Sequence, residues 1–323
     1  MNSHAVYAYG VVSSSMLYRV RGAFPAAEGY AEIEGVRYMT GGEATNSSVV
    51  LARLGVPVKL DGNWLGADKN GQRTKDLLSA FEVDTTRLPL KEGITGVQEV
   101  VFAAEDTRTI FGTYGHLLEA AAWNMPHESD ITQAKVVCLD PFFARPATRV
   151  AQVAFNAGIP VVTVDCQYDD PLLGHASAVV ISESFIGENY AGRDAEDVFS
   201  NYQAATGGLS IFTFGEAMVW YARPGEAIRR SQPYAIDPVD TSGGGDAFRA
   251  GIVYGFLQGW DEVRMIDFAS AVAAIVCTRF PGVMNAPTAE EVSDFMSAAK
   301  ALSLIHISEP TRLVHSSRMP SSA

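Results

Sequence analysis

Six short apolar runs, separated by stretches of helical periodicity, limit the possible folds of this chain more than any other feature. They lie at 5–12, 56–62, 134–140, 159–165, 176–182 and 209–215, and polar interruptions within them are few. A strand with one solvated face alternates apolar and polar residues, whereas a strand covered on both faces reads as a continuous apolar run. Helix-like segments at 43–54, 71–81, 145–157 and 194–205 fall between the runs, and three more at 244–258, 261–278 and 288–301 follow them. This alternation predicts an α/β fold of three layers, a mostly parallel central sheet flanked by helices.

Two regions break the alternation. Residues 15–40 and 96–112 read as extended, partly polar strands with no helix between them, and predict a small β-sheet projecting from the main body as a lid. No internal repeat or interdomain linker divides residues 1–301, so one domain is expected there. Residues 302–323 end in "SLIHISEPTRLVHSSRMPSSA", which resembles translated adapter sequence and is read as a tail outside the domain.

Composition narrows the partners. The formal charge of −13 argues against nucleic acid as a ligand. No apolar run has membrane-spanning length, and "MNSHAVYAYGVV" lacks the basic flank of a signal peptide, so a cytoplasmic, membrane-free protein is expected. Cys138, Cys166 and Cys277 are odd in number and set in apolar surroundings, which suggests buried thiols. His4, His116, His127 and His175 have no metal-ligand spacing, and surface or lid positions are expected for them.

The stretch "DTSGGGDAFRAG" places three glycines between Asp240 and Asp246, directly before a helical pattern. Glycines permit close backbone approach, and a helix start offers unpaired N–H groups and the positive end of a dipole. Together these make an anion hole. Asp246, in the first turn, could take a proton from a hydroxyl while the neighbouring amides hold a phosphoryl group. The glycines come too late for a dinucleotide-binding βαβ unit, and no GxxxxGK[ST] occurs. A second motif, "TGGEATN", sets a Gly-Gly turn before Asn46 on a helix; its amide can donate to and accept from vicinal sugar hydroxyls.

These two motifs, Gly41 to Asn46 and Asp240 to Asp246, resemble the signatures of the ribokinase-like (PfkB) carbohydrate kinases, over roughly residues 5 to 300. The resemblance implies a ribokinase-like fold whose lid closes over a sugar, and Mg²⁺-assisted transfer of the ATP γ-phosphoryl group to a sugar or sugar-acid hydroxyl. It implies Asp246 as general base and the amides of Gly243, Gly244 and Gly245 as anion hole. Gly42, Glu43, Asn46 and Asp140 would hold the sugar. Thr213 and Gly215 would lie beside the nucleotide with Gly243 and Gly245. Asp240 and Ser242, with the backbone of 276–282, would hold a monovalent cation such as K⁺.

Two departures affect substrate and metal. The first strand has Ser13 and Ser15 where the family usually carries an aspartate. A hydroxyl lacks the charged, two-oxygen acceptor of a carboxylate. Loss of that charge, with Arg108 in the lid, would tolerate an anionic sugar, although surface salt bridging is the ordinary role of a single arginine, Arg249 included. At "ISESFIGEN", Glu183 stands near the family's Asn and Ile186 replaces its Glu, leaving Glu183 to reach Mg²⁺ through water. Two other readings follow: a nucleoside kinase, with Phe142 and Phe143 as stacking faces, or a sugar-binding or regulatory relative of weakened catalysis. Asn63 could edge the sugar pocket. A homodimer through lid strands is expected, with Val100, Val101 and Phe102 exposed.

Overall fold

The structure is a computed structural model that describes residues 4–105 and 107–308, the last seven by their backbone alone. Along the chain come β1 (Val6–Gly10), β2 (Ser13–Val20), β3 (Ile33–Gly41), α1 (Glu43–Arg53), β4 (Val58–Gly62), β5 (Leu65–Gly66), α2 (Lys69–Ala80) and β6 (Leu90–Lys91). Then follow β7 (Val97–Ala103), β8 (Arg108–Gly112), α3 (Gly115–Ala120), α4 (Glu128–Gln133), β9 (Val136–Leu139), α5 (Ala144–Asn156), β10 (Val161–Val164) and β11 (Ala178–Ser182). The chain closes with α6 (Glu183–Asn189), α7 (Ala195–Ala205), β12 (Leu209–Phe214), β13 (Met218–Ala222), β14 (Arg229–Ser231), α8 (Gly244–Gln258), α9 (Glu262–Cys277) and α10 (Ala289–Ser308).

The main sheet has the order β14-β13-β12-β11-β10-β9-β1-β4. The six apolar runs form its six parallel strands, and β13 and β14 add an antiparallel edge. The alternation of strand side chains divides the core. Val6 and Ala8 pack with Val49 of α1, Ile252 of α8 and Val272 of α9, while Tyr7 and Tyr9 point to the opposite face with Val150 and Ala154 of α5. Helices thus cover both faces, as the sequence predicts. Between β1 and β9 the order of strands reverses, which opens a crevice at their C-terminal ends where ligands bind in open α/β sheets.

The first apolar run does not stay in one sheet. β1 stops at Gly10, and the backbone of the next two residues is satisfied by side chains instead of a ladder. Val11 N donates to Asp140 Oδ2 at 3.0 Å and Val12 N donates to Asn63 Oδ1 at 2.7 Å. Asn63 Nδ2 donates back to Val12 O at 2.9 Å. Asn63 is fully buried and committed to this clamp, so it does not edge a pocket. The clamp releases the chain into β2 and a second sheet of order β3-β2-β7-β8, built from the two regions that broke the alternation.

Several local expectations change. Val101 is buried with Leu17 and Met39, and Val100 and Phe102 are half-buried; the exposed apolar residues of this sheet are Ile33, Val36, Tyr38, Ile110 and Phe111. His4 is buried, with Nε2 2.7 Å from Asp130 O, because the fold covers the start of β1 with α4. Cys138 and Cys166 are buried free thiols, but Cys277 is half-buried at the end of α9. Helix α10 runs to Ser308, past the expected domain edge at 301; residues 309–323 of the expected tail lie outside the described residues. Among the described residues no helix is long and apolar enough to cross a membrane.

Candidate active site

The N-terminus of α8 is left open by its own sequence. Gly243 occupies the cap position without a side chain, at a left-handed φ of 75°, and an added Cβ would lie 2.3 Å from Val283 Cγ2. Of the three amides expected to form an anion hole, that of Gly244 is engaged by Thr241 O at 3.2 Å. Those of Gly243 and Gly245, with Asp246 beside them, take no acceptor among the described residues. Unpaired N–H groups at a helix start attract anions.

Asp246 projects from this first turn, its side chain 14% exposed. Asn46 Nδ2 donates to its Oδ2 at 2.8 Å. Burial pushes the Asp246 pKa up to about 6; the Arg249 charge and the Asn46 hydrogen bond pull it back, and Asp140 pushes it further up. Such a carboxylate is ionised at neutral pH yet more basic than an exposed one. Asn46 Oδ1 is buried without a partner, so one end of the amide holds the carboxylate and the other remains free.

Arg249 departs from the surface role expected of it. It is fully buried, one turn along α8, with Nη2 3.8 Å from Asp246 Oδ1. Its Nε and Nη2 donate to Ser47 Oγ at 3.0 and 2.9 Å, and Ser47 Oγ donates to Asp246 O at 3.1 Å. Burial alone would lower the Arg249 pKa, but Cys138, Asp246, Glu43 and Asp140 outweigh it and keep the guanidinium charged. Helical spacing of three residues was the signal in the sequence; its burial was not legible there.

Around this pair the strand ends bring further carboxylates. Asp140, at the end of β9, is buried and accepts from Val11 N at 3.0 Å and Phe142 N at 2.9 Å. Burial raises its pKa, and those two amides counter the rise. Glu43, in the first turn of α1, has a pKa raised well above the usual range by burial and then by Asp140. Gly42 before it stands at φ 94°, where a Cβ would come within 2.1 Å of Val11 O. Asp165, just past β10, was not singled out in the sequence, although it ends an apolar run as Asp140 does. It accepts from Ser182 N at 2.7 Å and Ser182 Oγ at 2.8 Å, and burial raises its pKa.

Ser13 and Ser15 lie buried at the start of β2, their hydroxyl oxygens 3.4 Å apart. Across the sheet Ser15 Oγ donates to Glu99 Oε2 at 2.5 Å, and Tyr114 OH donates to Glu99 Oε1. A carboxylate therefore stands beside Ser15 after all, supplied by β7. Phe143 is buried in the core against Tyr9 and Trp123, so it offers no stacking face, while Phe142 packs on Tyr114. Arg108 Nη1 donates to Thr241 O at 3.3 Å, tying the edge of the second sheet to the loop before α8.

The remaining predicted residues form two groups. Thr213 pairs with Ser182 in the sheet, and Glu183 starts α6, its Oε2 4.0 Å from where a Cβ on Gly215 would lie. Among the described residues no hydrogen bond joins this group to α8. Asp240 is buried and bridges two loops, accepting from Ser242 N at 2.9 Å and Gly282 N at 3.2 Å. Ser242 Oγ is buried without a partner beside it. Among the described residues no three His, Cys, Asp or Glu side chains gather closely enough to hold a metal ion.

Known proteins resemble this chain in sequence and in fold. The family profile described as pfkB family carbohydrate kinase matches residues 8–289. An ATP-dependent ribose-1-phosphate kinase of Halopiger xanaduensis is 28% identical over 84% of this chain and 92% of its own. A ribokinase of Haemophilus influenzae is 26% identical over 80% of this chain and 88% of its own. The structure of Arabidopsis thaliana ribokinase complexed with ribose and ATP superposes with a TM-score of 0.76 and 17% identity, covering 91% of this chain and 99% of that one.

Proposed function

The chain belongs to the pfkB family of carbohydrate kinases, and from that premise we propose that it transfers the γ-phosphoryl group of ATP to a hydroxyl of a sugar-like acceptor. The observation that carries this reading is Asp246, oriented by Asn46 and Arg249 beside uncapped amides at the start of α8. Asp246 acts as general base and takes the proton of the acceptor hydroxyl. The open amides of Gly243, Gly245 and Asp246 donate to the phosphoryl oxygens, and Arg108 approaches the same loop from the second sheet. Asn46 Oδ1, buried without a partner, and Glu43 are the neighbouring groups assigned to acceptor hydroxyls, with Gly42 clearing their approach. The Gly244 amide is engaged by Thr241 O, whereas Asp140, with one backbone amide on each oxygen, keeps acceptor capacity for a hydroxyl of the sugar.

The second sheet is read as a lid over the acceptor, within one kinase domain spanning residues 1–301. Glu183, Thr213 and Gly215 flank the nucleotide. Mg²⁺, held by Glu183 through water and by the phosphates, would neutralise developing charge; a single exposed carboxylate fits an ion that keeps most of its waters. The unpartnered Ser242 hydroxyl next to Asp240 fits a monovalent cation such as K⁺ between the two loops. The protein is read as cytoplasmic and as a homodimer through its lid. Asp246→Asn is expected to lower acceptor-dependent ADP release about 10²–10⁴-fold with the thermal midpoint kept. Undiminished turnover would remove Asp246 from the role.

A further inference from the structure

Strands β2 and β7 are parallel and in register, with Ser15 opposite Glu99. Three oxygens converge over the bare backbone of Gly41: a Cβ there would lie 2.2 Å from Glu99 Oε2, 2.3 Å from Ser15 Oγ and 2.4 Å from Ser13 Oγ. Glu99 is half-buried, and each of its oxygens accepts from one fixed hydroxyl, Ser15 on one side and Tyr114 on the other. A carboxylate offers about four acceptor sites, so about two remain for a ligand. Gly41 leads directly into Gly42 and Glu43 at the start of α1, so the cluster borders the same crevice; burial raises the Tyr114 pKa, and Glu99, Asp140 and Glu43 raise it further.

We propose that Glu99, presented from β7 and held by Ser15 and Tyr114, is the carboxylate that reads a pair of acceptor hydroxyls, and that the acceptor is an uncharged polyol rather than a sugar acid or sugar phosphate. This rests on the kinase reading above. Two hydroxyls donating to one charged acceptor form strong, directional bonds, and an aldose, ketose or nucleoside ribose supplies such a pair. An anionic acceptor entering beside Glu99, with the ionised Asp246 nearby, would meet like charge. The two neighbouring cations are placed to serve other groups. Arg249 is buried on Ser47 and Leu139, and Arg108 bonds Thr241 O, where the phosphoryl group would arrive.

The test uses the full chain and ADP release with ATP and Mg²⁺. D-Ribose, D-fructose and inosine serve as neutral probes, and D-gluconate and D-ribose 1-phosphate as anionic ones. A neutral probe with kcat/KM about tenfold or more above both anions is expected; a preferred anion overturns the proposal. No release with any probe overturns the kinase reading and this proposal with it. Glu99→Gln is then expected to raise KM for the preferred neutral acceptor about 10- to 100-fold. KM for ATP and the thermal midpoint should stay close to the parent. The double variant Ser15→Asp with Glu99→Ser, which moves the carboxylate one strand across, is expected to recover most of the loss. An unchanged acceptor KM in Glu99→Gln, or a parallel loss of ATP affinity and thermal midpoint, would sink the role of Glu99 while leaving the kinase reading intact.

Discussion

Asp246 and Arg249 show how little of a residue's chemistry is set by its type. Burial makes Asp246 a stronger base, and one buried guanidinium keeps it charged enough to act as one. With its pKa near about 6, the ionised form is lost as pH falls. Turnover at saturating substrate is therefore expected to drop about tenfold per pH unit below 6 and to level off above 7. A pH profile of kcat, with a nonionisable acceptor, reads this directly, and a flat profile from pH 5 to 8 would remove the assignment. Arg249→Met deletes the group that opposes the upward shift, so the acidic limb is expected to move to higher pH. Removing one partner of a buried pair commonly costs about 3–5 kcal/mol, so the thermal midpoint should fall as well. Neither effect could be foreseen from the sequence, in which Arg249 is one arginine on a helical pattern. Glu99 was equally hidden, because only the pairing of β7 with β2 brings it to Ser15.

Among the elements, α8 combines two kinds of glycine. Gly243 answers to geometry: its left-handed φ and the nearby Val283 exclude a side chain. Gly245 has no such reason, for a Cβ there meets nothing within 4 Å and its φ is not positive. Substituting it separates the structural from the functional role. Gly245→Ala is expected to hold or raise the thermal midpoint, since alanine gains about 0.8–1.0 kcal/mol over glycine within a helix. The same change should raise KM for ATP about tenfold or more if the phosphates approach that backbone closely. Gly243→Ala is expected to lower the midpoint and the ATP affinity together. Calorimetric melting alongside ATP titration distinguishes the two patterns, and a Gly245→Ala variant with normal ATP affinity would place the phosphates elsewhere.

At the level of the whole molecule, the second sheet turns two different faces outward and inward. Ser15, Leu17, Met39, Glu99 and Val101 face the body, while Met16, Tyr18, Val36, Tyr38, Val100, Phe102 and Phe111 alternate onto the other side. Tyr18 stacks on Phe102 at 5.2 Å, and Tyr38 and Phe111 are 47% and 56% exposed. An exposed aromatic and aliphatic face of this kind suits a second copy of the chain. Light scattering after size exclusion is expected to give a dimer, and Tyr38→Asp with Phe111→Asp a monomer. A parent protein that stays monomeric at high concentration would leave that face without this partner.

The sequence by itself determined the layers and the glycine turn at the start of α8. Its apolar runs could be buried only as doubly covered parallel strands, and a glycine turn before a helix is open to anions wherever it folds. The broken alternation at 15–40 and 96–112 also marked the second sheet, because strands without an intervening helix must pair with one another. Only the tertiary structure decided which polar groups meet. Asn46 reaches Asp246 across two hundred positions, Glu99 reaches Ser15 across a sheet, and Arg249 is buried between α1 and β9. Periodicity records which face of an element is apolar, whereas contacts between distant elements depend on how those faces are docked, and no local pattern carries that information.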